Sequence, residues 1–397
     1  MQGPASIRLV PQLDLQVLRQ LVTDHILPFE NASRDDQAFS MEMPRMLHEK
    51  DILQMVTPKI YGGKGAEVAD LIWVIREISY GSPSVAATYI GNLLGYSAAL
   101  MYAKDSLREE IARNYLMNFS LWSFAMTEAG AGSDLMNIAT RAERVPGGFI
   151  LNGEKNFITN ANHSSQMAIF AQLGKEGISC FYVKGDAQGV SRGPAFQKIG
   201  WKKANTGSLK FKDVFIPEDH LLGEPGQGLR ILTHCLNRSK TLLGAMGVGI
   251  SQRAFDLCVE RLLNTERFEK SLIDQSAIRH QLARMATQME SAWMMVSRAA
   301  ATWDAGLAAV KESSMAKLVG GSAAVDIADQ AMELFGARGF LLDYEVSRLV
   351  SDAKAIEIVE GPTLVQELLV AKEILPRGKK KKADLYTLQP SDLKKVA

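Results

Sequence analysis

Cysteine is scarce in this chain. Its 397 residues include three, Cys180, Cys235 and Cys258, with no CxxC pair, which argues against a disulfide framework and a structural zinc site. Each has apolar neighbours and reads as a small buried hydrophobe. No apolar run approaches the roughly 20 residues of a membrane-spanning helix, so no membrane partner is expected. The N-terminus, MQGPASIRLVPQLDLQ, lacks the basic-then-apolar layout of a secretory signal and the Arg/Ser richness of a transit peptide; the expected location is cytoplasmic. No G-x-G-x-x-G opens a βαβ unit, no P-loop is present, and the six histidines show neither HExxH nor paired spacing, so no metal is expected. GVSRG at 189–193 carries the letters of a nucleophile elbow, but Pro194 and Phe196 follow where that elbow needs a helix.

Charge is nearly balanced at +1, but unevenly placed. Seven Lys/Arg and two Asp give residues 377–397 a charge of +5, leaving −4 for residues 1–376. Apart from Tyr386 this basic segment has no interleaved aromatics, so it reads as a solvated, disordered tail rather than a nucleic-acid contact.

Three regions precede the tail, and together they predict an α+β fold. Residues 1–120 form a helical region, with Leu18, Leu21 and Val22 in helical phase after a candidate cap at Asp14, and a turn at YGGKG (61–65). The stretch SPSVAATYIGNLLGYSAALMYA, rich in small and apolar residues, predicts a helix buried on most sides. Residues 121–225 form a small β-sheet or barrel domain, with strands FILN, NFIT, MAIFAQL and ISCFYVKG between turns at PGG (146–148) and NGEK (152–155). LKFKDVFIP alternates at Leu209 and Phe211, then shifts phase as a bulged strand does. Residues 226–376 are helical again. Ile278, Leu282, Met285, Met289, Trp293, Val296 and Ala300 make one stripe, predicting a four-helix bundle in which that helix packs along its whole length.

Three segments carry chemistry. In FAMTEAGAGSD (124–134), Gly130 and Gly132 let the backbone approach a bulky ligand, and Thr127 and Ser133 add hydroxyls. In NFITNA, Phe157 and Thr159 alternate along a strand, placing an aromatic ring beside a hydroxyl as an isoalloxazine would need. In DAKAIEIVEGPTLVQ, Glu360 stands in an apolar setting before Gly361 and Pro362, where burial would raise its pKa toward that of a general base. Taken singly, the glycine loop also reads as a tight connection, and Glu360 as a surface residue ending a helix.

In this order, with GGFILNGEKNFITNA, TGSLKFKDVFIPEDHLLGEPGQGL, ELFGARGF and DYEVSRLVSDAKAIEIVEGPTLVQ, these segments resemble the acyl-CoA dehydrogenase family from about residue 13 to 375. The resemblance implies an N-terminal helical domain, a central β domain and a C-terminal four-helix bundle that binds FAD. It implies α,β-dehydrogenation of an acyl thioester, with Glu360 taking the α-proton and flavin N5 the β-hydride from opposite faces of the acyl chain. Phe124, Ala125, Met126, Thr127, Gly132, Ser133, Phe157, Ile158, Thr159, Arg267, Phe268, Gln275, Gly336 and Thr363 are implied at the cofactor. Ser133, Asn237, Lys240 and Gly361 are implied at the substrate. Implied partners are an acyl-CoA or acyl-carrier-protein thioester, an electron-transfer flavoprotein, and further copies of the chain as a homodimer or homotetramer.

The chain departs from the family pattern at the far end of the cofactor and at the pocket mouth. The family's R-x-x-F-G falls on Thr265, Phe268 and Glu269, with Arg267 as substitute, and its Q-x-x-G-G falls on Glu333, Gly336 and Ala337. Asn237 and Lys240 stand where the family favours Asp and Arg. With Lys202 and Lys203 they suggest ammonium groups for a phosphate-bearing arm, and so an acyl-carrier-protein dehydrogenase as the alternative to a CoA enzyme. A flavin monooxygenase or oxidase on the same scaffold is the less favoured alternative, because such relatives usually lose the catalytic Glu.

Overall fold

The computed structural model describes residues 14–32, 38–267 and 269–375; Phe268 and the basic segment 377–397 lie outside them. In chain order the helices before the sheet are α1 (Leu15–Leu21), α2 (Leu27–Asn31), α3 (Glu42–Glu49), α4 (Val68–Gly81), α5 (Pro83–Tyr102) and α6 (Asp105–Met117). The strands are β1 (Trp122–Ala125), β2 (Arg141–Val145), β3 (Gly148–Thr159), β4 (Gln166–Leu173), β5 (Gly177–Lys184), β6 (Val190–Arg192), β7 (Thr206–Pro217) and β8 (Leu221–Leu222). Then come α7 (Gly228–Leu263), the short pair β9 (Glu266–Arg267) and β10 (Lys270–Ser271), α8 (Ser276–Asp304), α9 (Val310–Leu334), α10 (Glu345–Ile358) and α11 (Thr363–Ile374). Packing sorts them into two units: α1, α2, α4 and the chain from Asn237 onward form one, while α3, α5, α6, β1–β8 and the start of α7 form the other.

In the helical unit, α1 begins where Asp14 accepts hydrogen bonds from Gln16 N and Val17 N, at 2.9 and 3.4 Å, satisfying donors that no preceding turn can. The first two N–H groups of α4 bond the Asp304 carboxylate at the end of α8, each at 2.8 Å. Helix α9 is central, packing on α8, α10 and α11, and it meets α7 backbone to backbone. A Cβ at Gly320 would lie 2.5 Å from Gly244 O, and one at Gly247 would lie 2.2 Å from Gly320 O. Only glycine permits this separation. On α8, Met285, Met289, Trp293, Val296 and Ala300 are buried, and Trp293 meets Trp73 edge-on at 4.7 Å. Ile278 and Leu282 are only half-buried, so among the described residues the stripe is not covered along its whole length. Helix α7 is long and apolar enough to cross a membrane, unlike the reading from apolar runs, but 67% of that stretch is buried inside the protein.

In the β unit the strand order is β6-β7-β3-β2-β4-β5-β8, with β1 added in parallel to β4. FILN and NFIT are one strand, β3, not two strands around a turn at NGEK. Two register shifts against β7 explain the difference: Gly153 (φ 146°) takes up one, and the other falls between Lys155 and Ile158. The opposing phase shift in β7 is present, with Leu209, Phe211 and Val214 inward and Asp213 at φ 53°. Helix α5 is buried nearly all round; a Cβ at Gly95 would sit 2.5 Å from Ser123 O. Buried Asn92 accepts from Trp122 N at 3.0 Å, and Asn160 donates to Thr88 O and Trp122 O at 3.1 and 3.0 Å. These amides satisfy main-chain groups that water cannot reach.

The α7–α9 crossing generates a prediction. Gly320→Val would drive a branched side chain into Gly244 backbone and cost about 3 kcal/mol, the upper part of the usual overpacking range. Denaturant unfolding measures it, and an unchanged midpoint would mean the helices do not meet at Gly320.

Candidate active site

Helix α10 stops at Ile358 and α11 starts at Thr363, leaving Val359–Pro362 as the connection. Glu360 lies there at φ 52°, followed by Gly361 at φ 87°. A left-handed backbone is costly for a residue with a Cβ, of order 1–3 kcal/mol, and persists only where surrounding contacts over-determine it. Lys317 Nζ, from the buried face of α9, donates to Val359 O and Gly361 O at 2.5 Å each. Gln366 Nε2, from α11, donates to Glu360 O at 3.2 Å and Gly361 O at 2.8 Å. Three successive carbonyls are therefore held by side chains of two helices.

The Glu360 carboxylate meets α7. Ser239 Oγ donates to Oε1 at 2.8 Å, whereas Oε2 is out of solvent and has no partner. Among the described residues the Glu360 N–H also finds no acceptor. Burial pushes the carboxyl up to about 7, against the Ser239 hydrogen bond and the charges of Lys317 and Lys240, which pull it down. Burial lowers both ammonium groups to about 8, and the Glu360 charge opposes that fall. A carboxylate ionising near neutrality, with one open oxygen, has the properties of a general base.

Several expected positions fall into place around this group, and others do not. Asn237 and Lys240 are both buried, joined at 3.0 Å through Asn237 Oδ1. Lys240 faces Glu360 instead of offering an ammonium group at a mouth, and Lys203 too is buried rather than on an exposed turn. The Gly361 carbonyl is already taken by Lys317 and Gln366, so this glycine shapes the connection and offers no acceptor to a substrate. Thr363 opens α11. Arg267 is exposed, Gln275 precedes α8 half-buried without a capping side-chain bond, and Gly336 is exposed with open space where a Cβ would be. Among the described residues, no hydrogen bond or ion pair joins these three to the Glu360 cluster.

The β unit organises the glycine loop separately. Lys155 is fully buried on β3; its Nζ donates to Met126 O at 2.9 Å and Glu128 Oε1 at 2.7 Å. Glu128 also accepts from Ala139 N at 2.5 Å and Thr140 N at 3.1 Å. Burial disfavours its ionised form, but the Lys155, Thr140 and Ala139 hydrogen bonds outweigh that and hold it below the usual carboxylate range. Burial lowers Lys155 to about 8. With Asn156 N donating to Thr127 O at 2.8 Å, these bonds bring Thr127 beside Phe157. The burial of Ile158 between exposed Phe157 and half-buried Thr159 follows the strand alternation. Phe157 itself is 66% exposed, at φ 58°, with its ring 5.1 Å from Phe196. Gly132 and Ser133 are exposed, Gly130 and Gly132 have open space around them, and Phe124 and Thr127 are half-buried. Ala125, Met126 and Ile158 point into the core, so only their backbone can serve a ligand. An uncovered aromatic ring, hydroxyls and an open glycine backbone fit a flavin.

Sequence reasoning missed Lys317, Gln366, Lys155 and Glu128. The available signal was a lone lysine among small and apolar residues, as in MAKLVGG around Lys317, and a lysine on the inward phase of a strand.

Comparison with known proteins identifies the family. The chain matches family models for the acyl-CoA dehydrogenase N-terminal, middle and C-terminal domains over residues 13–116, 123–214 and 226–375. It belongs to the acyl-CoA dehydrogenase family. It is 31% identical over 365 residues to an acyl-CoA dehydrogenase of Bacillus subtilis, covering 91% of this chain and 96% of the relative. It is 30% identical to a 3-(aryl)acrylate reductase of Clostridium sporogenes, covering 92% and 98%. The butyryl-CoA dehydrogenase structure from Megasphaera elsdenii superposes with a TM-score of 0.88 at 26% identity, over 91% of this chain and 97% of that one.

Removing one partner of a buried pair leaves the other charge uncompensated, at a cost of about 3–5 kcal/mol. Lys155→Met is expected to lose stability on that scale in urea unfolding, and Lys155→Met/Glu128→Gln to regain much of it. A single variant within about 1 kcal/mol of the parent would show that the pair does not hold the loop.

Proposed function

We propose that the protein is an FAD-dependent dehydrogenase that removes hydrogen from the Cα and Cβ of an acyl thioester, with Glu360 as the base. The observation that carries this reading is the buried, partnerless Oε2 of a carboxyl ionising at about 7. Its role is to accept the α-proton. The open N–H of Glu360 is suited to bond the thioester carbonyl as negative charge develops there. Ser239 holds Oε1, which turns Oε2 toward the substrate. Phe124, Thr127, Ser133, Phe157 and Thr159 present the ring, hydroxyls and backbone that would hold the flavin, which when bound supplies a two-electron acceptor for the β-hydride. The products are an enoyl thioester and reduced flavin, with the α-proton left on Glu360. An electron-transfer flavoprotein is the proposed acceptor, and the cytoplasm the proposed location.

A homo-oligomer belongs to the same reading. Phe340, Leu342, Ile358, Leu364, Leu368 and Leu375 are each more than 60% exposed, and the first turns of the α8 stripe are half-covered. In the proposed assembly these side chains supply the apolar contacts between copies. Arg267, Gln275 and Gly336, apart from the Glu360 cluster, would then serve a cofactor shared with a neighbouring copy. Light scattering is expected to give a dimer or tetramer; a monomer retaining FAD would contradict it.

Anaerobic mixing with acyl-CoA and with acyl-carrier-protein thioesters tests the activity and identifies the carrier. The wild type is expected to bleach its flavin without consuming oxygen, at a rate that rises with pH as Glu360 ionises through about 7. Glu360→Gln is expected to keep FAD and bind substrate, yet lose at least about 1,000-fold in the rate of reduction. Near-normal reduction in that variant would assign the base to another residue.

A further inference from the structure

We propose that Lys317 is the positioning residue of the base: it locks the backbone on both sides of Glu360 and supplies a positive charge that faces the carboxylate without bonding it. This rests on the reading of Glu360 as the base and adds the device that keeps it reactive. Two observations carry it. First, the connection between α10 and α11 holds a left-handed Glu360 and a left-handed Gly361, and Lys317 bridges the carbonyls on either side at 2.5 Å each. Without that bridge, nothing described holds the Val359 carbonyl, and the strained backbone is free to relax. Second, among the described residues Lys317 forms no ion pair with Glu360. Its two hydrogen bonds go to carbonyls, and Glu360 Oε2 has no partner.

The distinction matters chemically. A direct salt bridge would stabilise the carboxylate and occupy the oxygen that must take a proton, lowering its basicity. A nearby cation bonded elsewhere offsets part of the burial and leaves the oxygen open. The close approach of α7 and α9 at Gly244 and Gly320 makes this possible, because Lys317 lies one turn from Gly320 and Lys240 one turn from Gly244. Among the described residues, the charged and polar groups facing this centre are Lys240, Ser239 and Asn237 on α7, Lys317 on α9, Glu357 on α10 and Gln366 on α11. Glu357 is the other acid near Lys317; it also pairs with Lys354 at 2.6 Å.

The test combines two readouts on the FAD-loaded protein. The first is titration of the Glu360 carboxyl by difference infrared spectroscopy, assigned by its absence in Glu360→Gln; it needs no substrate. The second is the rate of flavin reduction across pH. Lys317→Met and Lys317→Gln are expected to raise the Glu360 titration by about one pH unit or more, since both remove a favourable charge. They are also expected to lose at least tenfold in reduction rate even above the shifted titration, because the backbone is no longer held. Gln366→Ala removes neutral donors from the same connection, so it is expected to slow reduction while leaving the titration in place. An unmoved Glu360 titration in the Lys317 variants, or full rate recovery at high pH, would overturn the proposal. Should neither Lys317 variant fold, Gln366→Ala decides: normal reduction there would mean the connection needs no lock. If no thioester reduces the wild type, the dehydrogenase reading fails, and the infrared arm still shows whether Lys317 governs Glu360.

Discussion

The approach of α7 to α9 is the constraint on which the chemical centre depends. With glycine at 244, 247 and 320, the two backbones lie closer than any side chain allows. Ser239 on one helix then bonds a carboxyl that the charges of Lys240 on the same helix and Lys317 on the other also act on. A wider crossing would leave Glu360 on an unsupported connection between α10 and α11. The core around the crossing is built from residues too small to separate the helices, among them Ala316, Gly321, Ala323 and Ala324. Close packing at this point transmits any added volume directly to the site.

Each unit contains a buried lysine that donates to main-chain carbonyl oxygen next to a carboxyl group, and the two carboxyls are bonded differently. Lys155 bonds Glu128 directly, while Ala139 N and Thr140 N fill the remaining positions. Glu128 is therefore held ionised with both oxygens bonded, and it anchors the glycine loop. Lys317 instead bonds the carbonyls flanking Glu360, and only a serine hydroxyl touches that carboxylate. Burial then prevails, and the carboxyl ionises near neutrality. The same two residue types give a carboxylate held ionised in one place and a carboxyl ionising near neutrality in the other, according to how the hydrogen bonds are assigned.

Local patterns in the sequence predicted much of this architecture. The Asp14 cap, the buried α5, the inner stripe of α8 and the phase shift in β7 all follow from side-chain periodicity and small-residue composition, which act over a few turns. Glu360 stands out as an acid before Gly-Pro in an apolar setting, and the structure places its carboxyl out of solvent with one oxygen unpartnered; the pattern alone fits a helix-ending surface residue as well, and the role of base comes from the resemblance. The β3 strand was misread at NGEK because the Asn-Gly turn signal competes with a bulge that Gly153 accommodates equally well. Lys240 and Lys203 were placed at a pocket mouth from the family positions they occupy; both are buried, and burial depends on contacts distant in sequence. For the same reason Lys317, more than 40 residues from Glu360, could not be assigned to it from spacing.

The central claim is that Glu360 removes the α-proton of a bound acyl thioester, and isotope exchange tests that step apart from electron transfer. The FAD-loaded protein is incubated in deuterated buffer with a saturated acyl thioester, and deuterium at Cα is followed by NMR across pH. The account predicts exchange in the wild type, rising as pH passes through about 7, and none above background in Glu360→Gln. Exchange in Glu360→Gln at the wild-type rate would contradict it.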